Sequence, residues 1–432
     1  MECFTIYADE IEGRIDPHFY RPEFIELEKN LKKLKNEVLG EIINFSSESW
    51  NQTDFFENEF PYIEISEIDT TSGEIQNITY YEKKNAPSRA RMIVKENDII
   101  VSTTRPHRGA ISLIDKEKNR YIASTGFAVL RDLKIKLKKQ YLLYVLRTQI
   151  SLKQMLQRSS GGNYPAITQE ELKKLIIPIP PLQTQNKIVA LMDSTYSSKK
   201  SKESESQQLL DSINDYVLDE LGIKLPEVKD KMCFVVNYEE IQKGRIDPSR
   251  FANPQDTPNS NKFKEKNLNE VAELVKGKSI TKENITSGDY PVVAGGQTSP
   301  YSINVYNHKG NIVTVSASGA YSGYVWYHQN PIFASDCTVI KSMNEKEVST
   351  FYLYCVVKAK QKFIYNMQQG AGQPHVYSRD LSNLKIPLPP LSIQNKIAEE
   401  VKKRMQKAES LQKEAKEELE KAKLEVEKII LG

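Results

Sequence analysis

Over the last forty positions apolar residues recur at alternating steps of three and four, at Ile397, Val401, Met405, Ala408, Leu411, Ala415, Leu419, Ala422, Val426 and Ile429. That spacing averages near the 3.5-residue period of a coiled-coil seam and predicts one long helix over Leu391–Ile430. A second such stretch, Leu182–Leu221, carries Ile188, Met192, Thr195, Leu210, Ile213, Val217 and Leu221, interrupted by the polar run Ser197–Gln208. It follows the pair Pro180-Pro181, which cannot continue a strand interior and suits a helix start. Forty residues at about 1.5 Å each make a rod of roughly 60 Å. A narrow apolar stripe on such a rod must be covered, and an antiparallel pairing of the two helices would cover both. The polar run leaves open how far the pairing extends.

Elsewhere the periodicity changes. Asp16-Pro17 and Asp247-Pro248 have the form of an N-cap followed by proline at the first helical position. After the first, Phe24, Leu27, Leu31, Leu34 and Val38 are spaced as on one helix face. Residues 41–135 hold short β-branched and aromatic runs broken by Gly, Asn and Asp, which predict strands and turns. A helix is expected over Tyr141–Leu156, then a capping box at Thr168-x-x-Glu171 before a strand at Ile176–Ile179.

The chain is also written twice. Ile177–Ile188 (IPIPPLQTQNKI) returns as Ile386–Ile397 (IPLPPLSIQNKI) with nine of twelve positions identical, and GRIDP at Gly13–Pro17 returns at Gly244–Pro248. The offset falls from 231 to 209 residues between these phrases, so the second copy is about twenty residues shorter. Between them the likeness is looser: Asn97–Ile111 lies against Gly310–Val325, Tyr141–Leu146 against Phe351–Val356, and Ser160–Thr168 against Gln369–Tyr377. A duplicated frame with divergent contents points to two related domains that recognise different things.

Composition narrows the function classes. The 39% hydrophobic and 27% charged residues are those of an ordinary soluble protein, and no apolar run nears the roughly 20 residues that cross a bilayer; a cytoplasmic location is expected. The four cysteines, Cys3, Cys233, Cys337 and Cys355, are scattered without a C-x-x-C pair, the pattern of reduced, packed thiols. Basic and acidic residues balance at 26 each over 1–180 and stand at 19 against 15 over 226–390, only weakly favouring nucleic acid.

No Walker loop, dinucleotide-binding turn, methyltransferase tetrad, metal-ligand spacing or nucleophile elbow is present, and His18, His107, His308, His328 and His375 are isolated. What remains are loops suited to a polymer. Thr103, Thr104, Arg105, His107 and Arg108 offer hydroxyls and guanidinium groups able to grip guanine or phosphate. Two Gly-rich loops, with Gly161, Gly162, Asn163 and Tyr164 in the first copy and Gly370, Gly372, Gln373 and His375 in the second, combine close backbone approach with amide, aromatic and imidazole groups. Lys276, Lys278, Ser279, Gln297, Ser318 and Tyr321 complete the second copy's candidate DNA contacts. The neighbouring cluster Tyr321, Tyr324, Trp326 and Tyr327 reads mainly as sheet packing.

Two β-rich domains, each closed by I-P-x-P-P-L-x-x-Q-N-K-I and followed by a long charged helix, resemble the specificity subunit of type I restriction-modification systems over essentially the whole chain. The resemblance implies an α+β fold with target-recognition domains at 1–180 and 226–390. Spacer helices at 181–225 and 391–432 would form an antiparallel coiled coil, with a pseudo-two-fold relation between the halves. Each domain would read one half of a bipartite site in double-stranded DNA, while the helices set the spacer and dock two methyltransferase subunits. Restriction subunits would supply translocation and cleavage. S-adenosylmethionine, ATP and magnesium would belong to those partners, leaving this chain without cofactor, metal, membrane contact or catalysis of its own. Recognition domains of this family vary, so no contact residue carries over. The competing reading is a coiled-coil scaffold whose two β-rich domains bind protein.

Overall fold

The computed structural model describes residues 11, 14–53, 56–225, 259–281, 287–370 and 372–432. The second GRIDP phrase, with its Asp247-Pro248 pair, and Cys3 and Cys233 lie outside the described residues. The chain forms two compact units, one of residues 1–202 with 413–432 and one of residues 203–412.

In the first unit the chain runs α1 (Pro22–Lys32), β1 (Asn36–Val38), α2 (Leu39–Ile42), β2 (Ile43–Ser46), β3 (Glu59–Ile63), β4 (Thr79–Glu82), β5 (Ala90–Ile93), β6 (Ile99–Ser102), β7 (Ile111–Leu113), β8 (Ile122–Ser124) and β9 (Phe127–Leu133). Then come α3 (Lys139–Leu146), α4 (Gln149–Arg158), α5 (Gln169–Lys173), β10 (Ile176–Pro178) and the long α6 (Leu182–Leu221). One sheet has the order β2-β9-β6-β7 and another β4-β3-β8-β5, with β3 and β8 parallel. The third pairs β1 with β10.

The second unit repeats this plan with β11 (Glu265–Asn267), α7 (Leu268–Val271), β12 (Ala272–Lys276), β13 (Tyr290–Val293), β14 (Ser302–Ile303), β15 (Ile312–Ser316), β16 (Val325–His328), β17 (Phe333–Ala334) and β18 (Cys337–Ser342). It closes with α8 (Thr350–Ala359), α9 (Gln361–Tyr365), α10 (Ser378–Leu381), β19 (Lys385–Pro387) and α11 (Leu391–Leu431). The sheet β12-β18-β15-β16 matches β2-β9-β6-β7, β13 and β17 are parallel as β3 and β8 are, and β11 pairs with β19. The shortening falls partly in the middle sheet, which among the described residues has three strands here, β14-β13-β17, against four in the first unit.

Local expectations meet the structure unevenly. Asp16 does cap, accepting from the Phe19 amide at 3.1 Å, but it closes only a turn, and the helix starts at Pro22. Leu34 and Val38 fall beyond that helix, because Asn36 turns its amide back onto the Leu31 and Leu34 carbonyls and the chain enters β1. The helix expected over Tyr141–Leu156 breaks at Arg147-Thr148 into α3 and α4. Thr168 accepts from the Glu171 amide at 3.2 Å, the N-cap half of the expected box. Cys337 and Cys355 are buried free thiols.

The repeated phrase is an anchor. Pro178 and Pro387 lie in edge strands, where their carbonyls accept from the buried Tyr141 and Tyr352 hydroxyls, each at 2.8 Å. Gln185 and Gln394 are buried at the starts of α6 and α11 and donate to Pro180 O at 2.9 Å and Pro389 O at 3.0 Å. Ile188 and Ile397 enter the two main cores.

Both long helices are shared, and each unit holds an antiparallel helix pair. In the first, Met192 shares a core with Leu419, Val426 and Ile430, and Lys202 pairs with Glu418 at 3.0 Å and Glu414 at 3.6 Å. In the second, Val217 shares a core with Ile397 and Val401. The polar run does not end the pairing in either unit. Ser198 donates to Glu418 at 2.9 Å in the first, and the fully buried Ser206 donates to Ala408 O at 3.0 Å in the second. There hydroxyl contacts stand where apolar ones do elsewhere along the pair.

Candidate nucleic-acid interface

In the first unit β6 ends at Ser102, whose hydroxyl donates to Thr104 O at 2.7 Å. Thr103 sits on the carbonyl of Gly126, to which its amide and hydroxyl donate at 2.8 and 2.9 Å. The outgoing segment meets the Gly-rich loop. Ile167 N donates to Thr103 O at 2.9 Å and Arg105 N to Pro165 O at 2.7 Å, around a bridge between Thr104 and Ala166. Ala166 also bridges Ser160, so 160–166 is a tight hairpin. Its Gly161 has φ +101°, which side-chain-bearing residues rarely adopt.

That hairpin brings Arg105, Gly161, Gly162, Asn163 and Tyr164 together. Arg105 itself has a left-handed backbone, φ 47° and ψ 51°, and its guanidinium lies 4.2 Å from the ring centroid of the 71% exposed Tyr164. One guanidinium nitrogen reaches Asn163 O at 3.5 Å. His107 and Arg108 follow on a single 3₁₀ turn, Pro106–Arg108. Burial, then Arg108 and Arg105, hold the His107 imidazole below its ordinary pKa.

The second unit rebuilds the same crossing from different residues. Val376 N donates to Ala317 O and Gly319 N to Pro374 O, both at 3.0 Å, around a bridge between Ser318 and His375. His375 also bridges Gln369, and Gly370 has φ +100°. Thr103, Arg105, Gly161, Tyr164 and Ala166 therefore correspond to Ala317, Gly319, Gly370, Gln373 and His375. These bonds move two of the looser sequence alignments by one residue. The left-handed Asn97 and Asn311 are equivalent, as are Tyr141 and Tyr352, which make the same hydroxyl contact.

Segment 334–337 gathers most of the other candidates. Lys278 N donates to Ala334 O at 3.0 Å and Gly277 N to Cys337 O at 2.8 Å, placing Lys276, Lys278 and Ser279 beside it. Ser318 Oγ donates to the Asp336 carboxylate, and a Cβ on Gly295 would lie 2.4 Å from Ser318 O, so the loop leading to Gln297 packs on the crossing. Gln297 hydrogen-bonds the Tyr365 side chain. Gly372 and Gln373 are exposed on the hairpin, and Tyr321 is 47% exposed on the turn after Ser318. Tyr324, Trp326 and Tyr327 do belong to packing: Tyr327 meets Phe351 at 4.9 Å and Trp326 meets Tyr324 at 5.7 Å.

Two features were missed in the sequence. Tyr377 and Arg379 lie just past the second hairpin, with Tyr377 stacked on His375 at 5.9 Å and Arg379 over Tyr377 at 4.9 Å. Their signal was the short Tyr-x-Arg stretch directly after the Gly-rich loop. The second feature is a duplicated cation, buried at Arg147 and half-buried at Lys358. Arg147 donates to Ile111 O at 3.2 Å and the equivalent Lys358 to Val325 O at 3.1 Å, each tying the strand after the crossing to the helices beneath. Burial lowers both pKa values, that of Lys358 to about 8. Only the corrected alignment sets Arg147 against Lys358.

Two copies of one frame, alike in fold and different at their exposed tips, define a modular recognition protein. The profile of the type I restriction modification DNA specificity domain matches residues 31–214 and again 260–421, so the chain belongs to the type I specificity subunit family. It is 25% identical over 410 residues to the putative type I restriction enzyme MjaX specificity subunit of Methanocaldococcus jannaschii, covering 86% of each chain. It is 30% identical over 137 residues to the putative type I specificity subunit S.MpnORF507P of Mycoplasma pneumoniae, covering 30% of this chain and 37% of that one. A chain from a solved structure, described as the structural basis of complex assembly and conformational transition of the type I R-M system, has a likeness of fold. Its TM-score is 0.51 at 20% identity, over 92% of this chain and 96% of that chain.

Proposed function

We propose that this specificity subunit reads a bipartite site in double-stranded DNA, one half through each unit, and catalyses nothing itself. The observation that carries the reading is the crossing built twice, with Thr104, Arg105, Asn163 and Tyr164 displayed on the first copy and Ser318, Gln373 and His375 on the second. His107, Arg108, Lys276, Lys278, Ser279, Gln297 and Tyr321 flank these and add phosphate or base-edge contacts. The near-even charge of the chain fits shared clamping, in which partner subunits supply much of the phosphate contact.

The anchor phrase supports two identical partners. Pro181, Leu182, Asn186 and Lys187 are repeated as Pro390, Leu391, Asn395 and Lys396, and all eight are exposed. Packing within the units does not require their identity; a surface used twice by the same protein does. We assign it to two copies of a methyltransferase subunit that carries S-adenosylmethionine. Restriction subunits with ATP and magnesium join the complex, which works in the cytoplasm. No described helix is long and apolar enough to cross a membrane.

The test is an adenine-methylation map, by long-read sequencing, of cells expressing the methyltransferase subunit with and without this chain. A split motif seen only with the chain supports the reading; identical maps from a competent methyltransferase refute it. Exchanging the second domain for a relative's should change one half-site only. Deleting four residues from each long helix should alter the spacer. The family match favours this reading over a protein-binding scaffold.

A further inference from the structure

Each unit sets an arginine over the ring of an exposed tyrosine beside its crossing: the Arg105 Cζ lies 4.2 Å from the Tyr164 centroid and the Arg379 Cζ 4.9 Å from that of Tyr377. The two pairs are not inherited positions. Arg105 corresponds to Gly319 and Tyr164 to Gln373, while Arg379 comes from α10, after the hairpin. Two divergent copies have reached the same exposed chemistry from different segments of one frame.

The attraction of the ring for the cation holds a guanidinium in place without using its N–H donors. Those donors are lightly engaged in both cases. Arg105 has the 3.5 Å contact to Asn163 O, and Arg379, 74% exposed, approaches Asp380 at 3.8 Å. Arg131 and Arg158, by contrast, are bound at closer range to Asp98 and Glu171. Arg105 also holds a left-handed backbone conformation that its surroundings must impose, through the Arg105 N to Pro165 O bond on one side and the 3₁₀ turn on the other. The side chain is pre-positioned.

We propose that Arg105 and Arg379 each read one guanine, one in each half of the target, with Tyr164 and Tyr377 as the platforms that hold the fork. The inference rests on the specificity-subunit reading and adds to it the residues and the base. An arginine fork matches O6 and N7 of guanine in the major groove, a pairing that lysine, with a single ammonium, makes less selectively.

The experiment uses the purified complex of the full chain with its methyltransferase subunits. It measures methylation of duplexes carrying the mapped target and every single base-pair substitution of it. Arg105→Ala should lose discrimination at one G·C pair of one half-site, by roughly tenfold to a hundredfold, and keep it elsewhere. Arg105→Lys should show the same loss, and Arg379→Ala and Arg379→Lys the corresponding loss in the other half. Arg105→Asn, which tolerates the left-handed backbone, decides the matter if the alanine variant misfolds. Uniform slowing on every duplex by Arg105→Ala, restored by Arg105→Lys, would make the residue a phosphate contact and overturn the proposal. Unchanged base preferences in a complex that still methylates specifically would overturn it alone. A wild-type complex without chain-dependent, site-specific methylation would overturn the specificity reading and this inference with it.

Discussion

Replacing Gly370 with alanine tests whether the hairpin geometry, rather than its composition, carries recognition in the second unit. Gly370 has φ +100°, and a Cβ there would stand 2.8 Å from Gln373 O, a backbone atom that cannot swing aside. Holding a side-chain-bearing residue in such a region costs about 1–3 kcal/mol, which reduces the population of the native loop by roughly fivefold to 150-fold. The loop is exposed, so the loss should fall on its conformation while the core of the second unit stays folded. Gly372, two residues on, is the control, because nothing lies within 4 Å of a Cβ built there. Methylation by the assembled complex, measured on the cognate duplex, should fall by a factor in that range for Gly370→Ala and little for Gly372→Ala. Trp326 fluorescence during thermal unfolding would confirm an intact second unit. Equal activity of the two variants would refute the reasoning, since backbone conformation would then not limit recognition.

Arg131→Met should destabilise the first unit by about 3–5 kcal/mol, because Asp98, 1% exposed, would lose the guanidinium that binds it at 2.9 Å; urea unfolding followed by Trp50 checks this, and recovery in Arg131→Met with Asp98→Asn would confirm the cause. Gln185→Met should cost about 1 kcal/mol more than Gln394→Met: each glutamine makes two hydrogen bonds, Gln185 to Lys138 N and Pro180 O and Gln394 to Glu347 O and Pro389 O, but Gln394→Met also removes a buried side-chain oxygen that has no partner; denaturant midpoints of the two variants compare them. Burial holds His328 down at about 4, beside Thr314 at 2.8 Å, so the unfolded chain takes up the proton first as pH falls. Stability of the second unit is therefore complete above about pH 6.5 and declines by up to about 3 kcal/mol as pH falls toward 4, a slope that should flatten in His328→Gln.

The order of residues alone carries the duplication, the strand-rich interiors and both long helices, the first of them at Leu182–Leu221. Those features rest on periodicity, identity and proline placement, all of which act along the chain. It also pointed to the Arg105 segment and both Gly-rich loops, because glycine with exposed amides and aromatics has a local signature. It misplaced the start of the first helix, since an Asp-Pro pair caps a turn as well as a helix, and only packing beyond the turn decides which. What joins the candidates is tertiary: the Arg105 N to Pro165 O bond spans sixty residues, and the match of Thr103 to Ala317 is set by hydrogen-bond partners rather than by letters. Tyr377 with Arg379, and Arg147 with Lys358, escaped for the same reason. Their roles come from which ring or carbonyl they meet, and that is decided only when segments distant in sequence are brought within a few ångströms of each other.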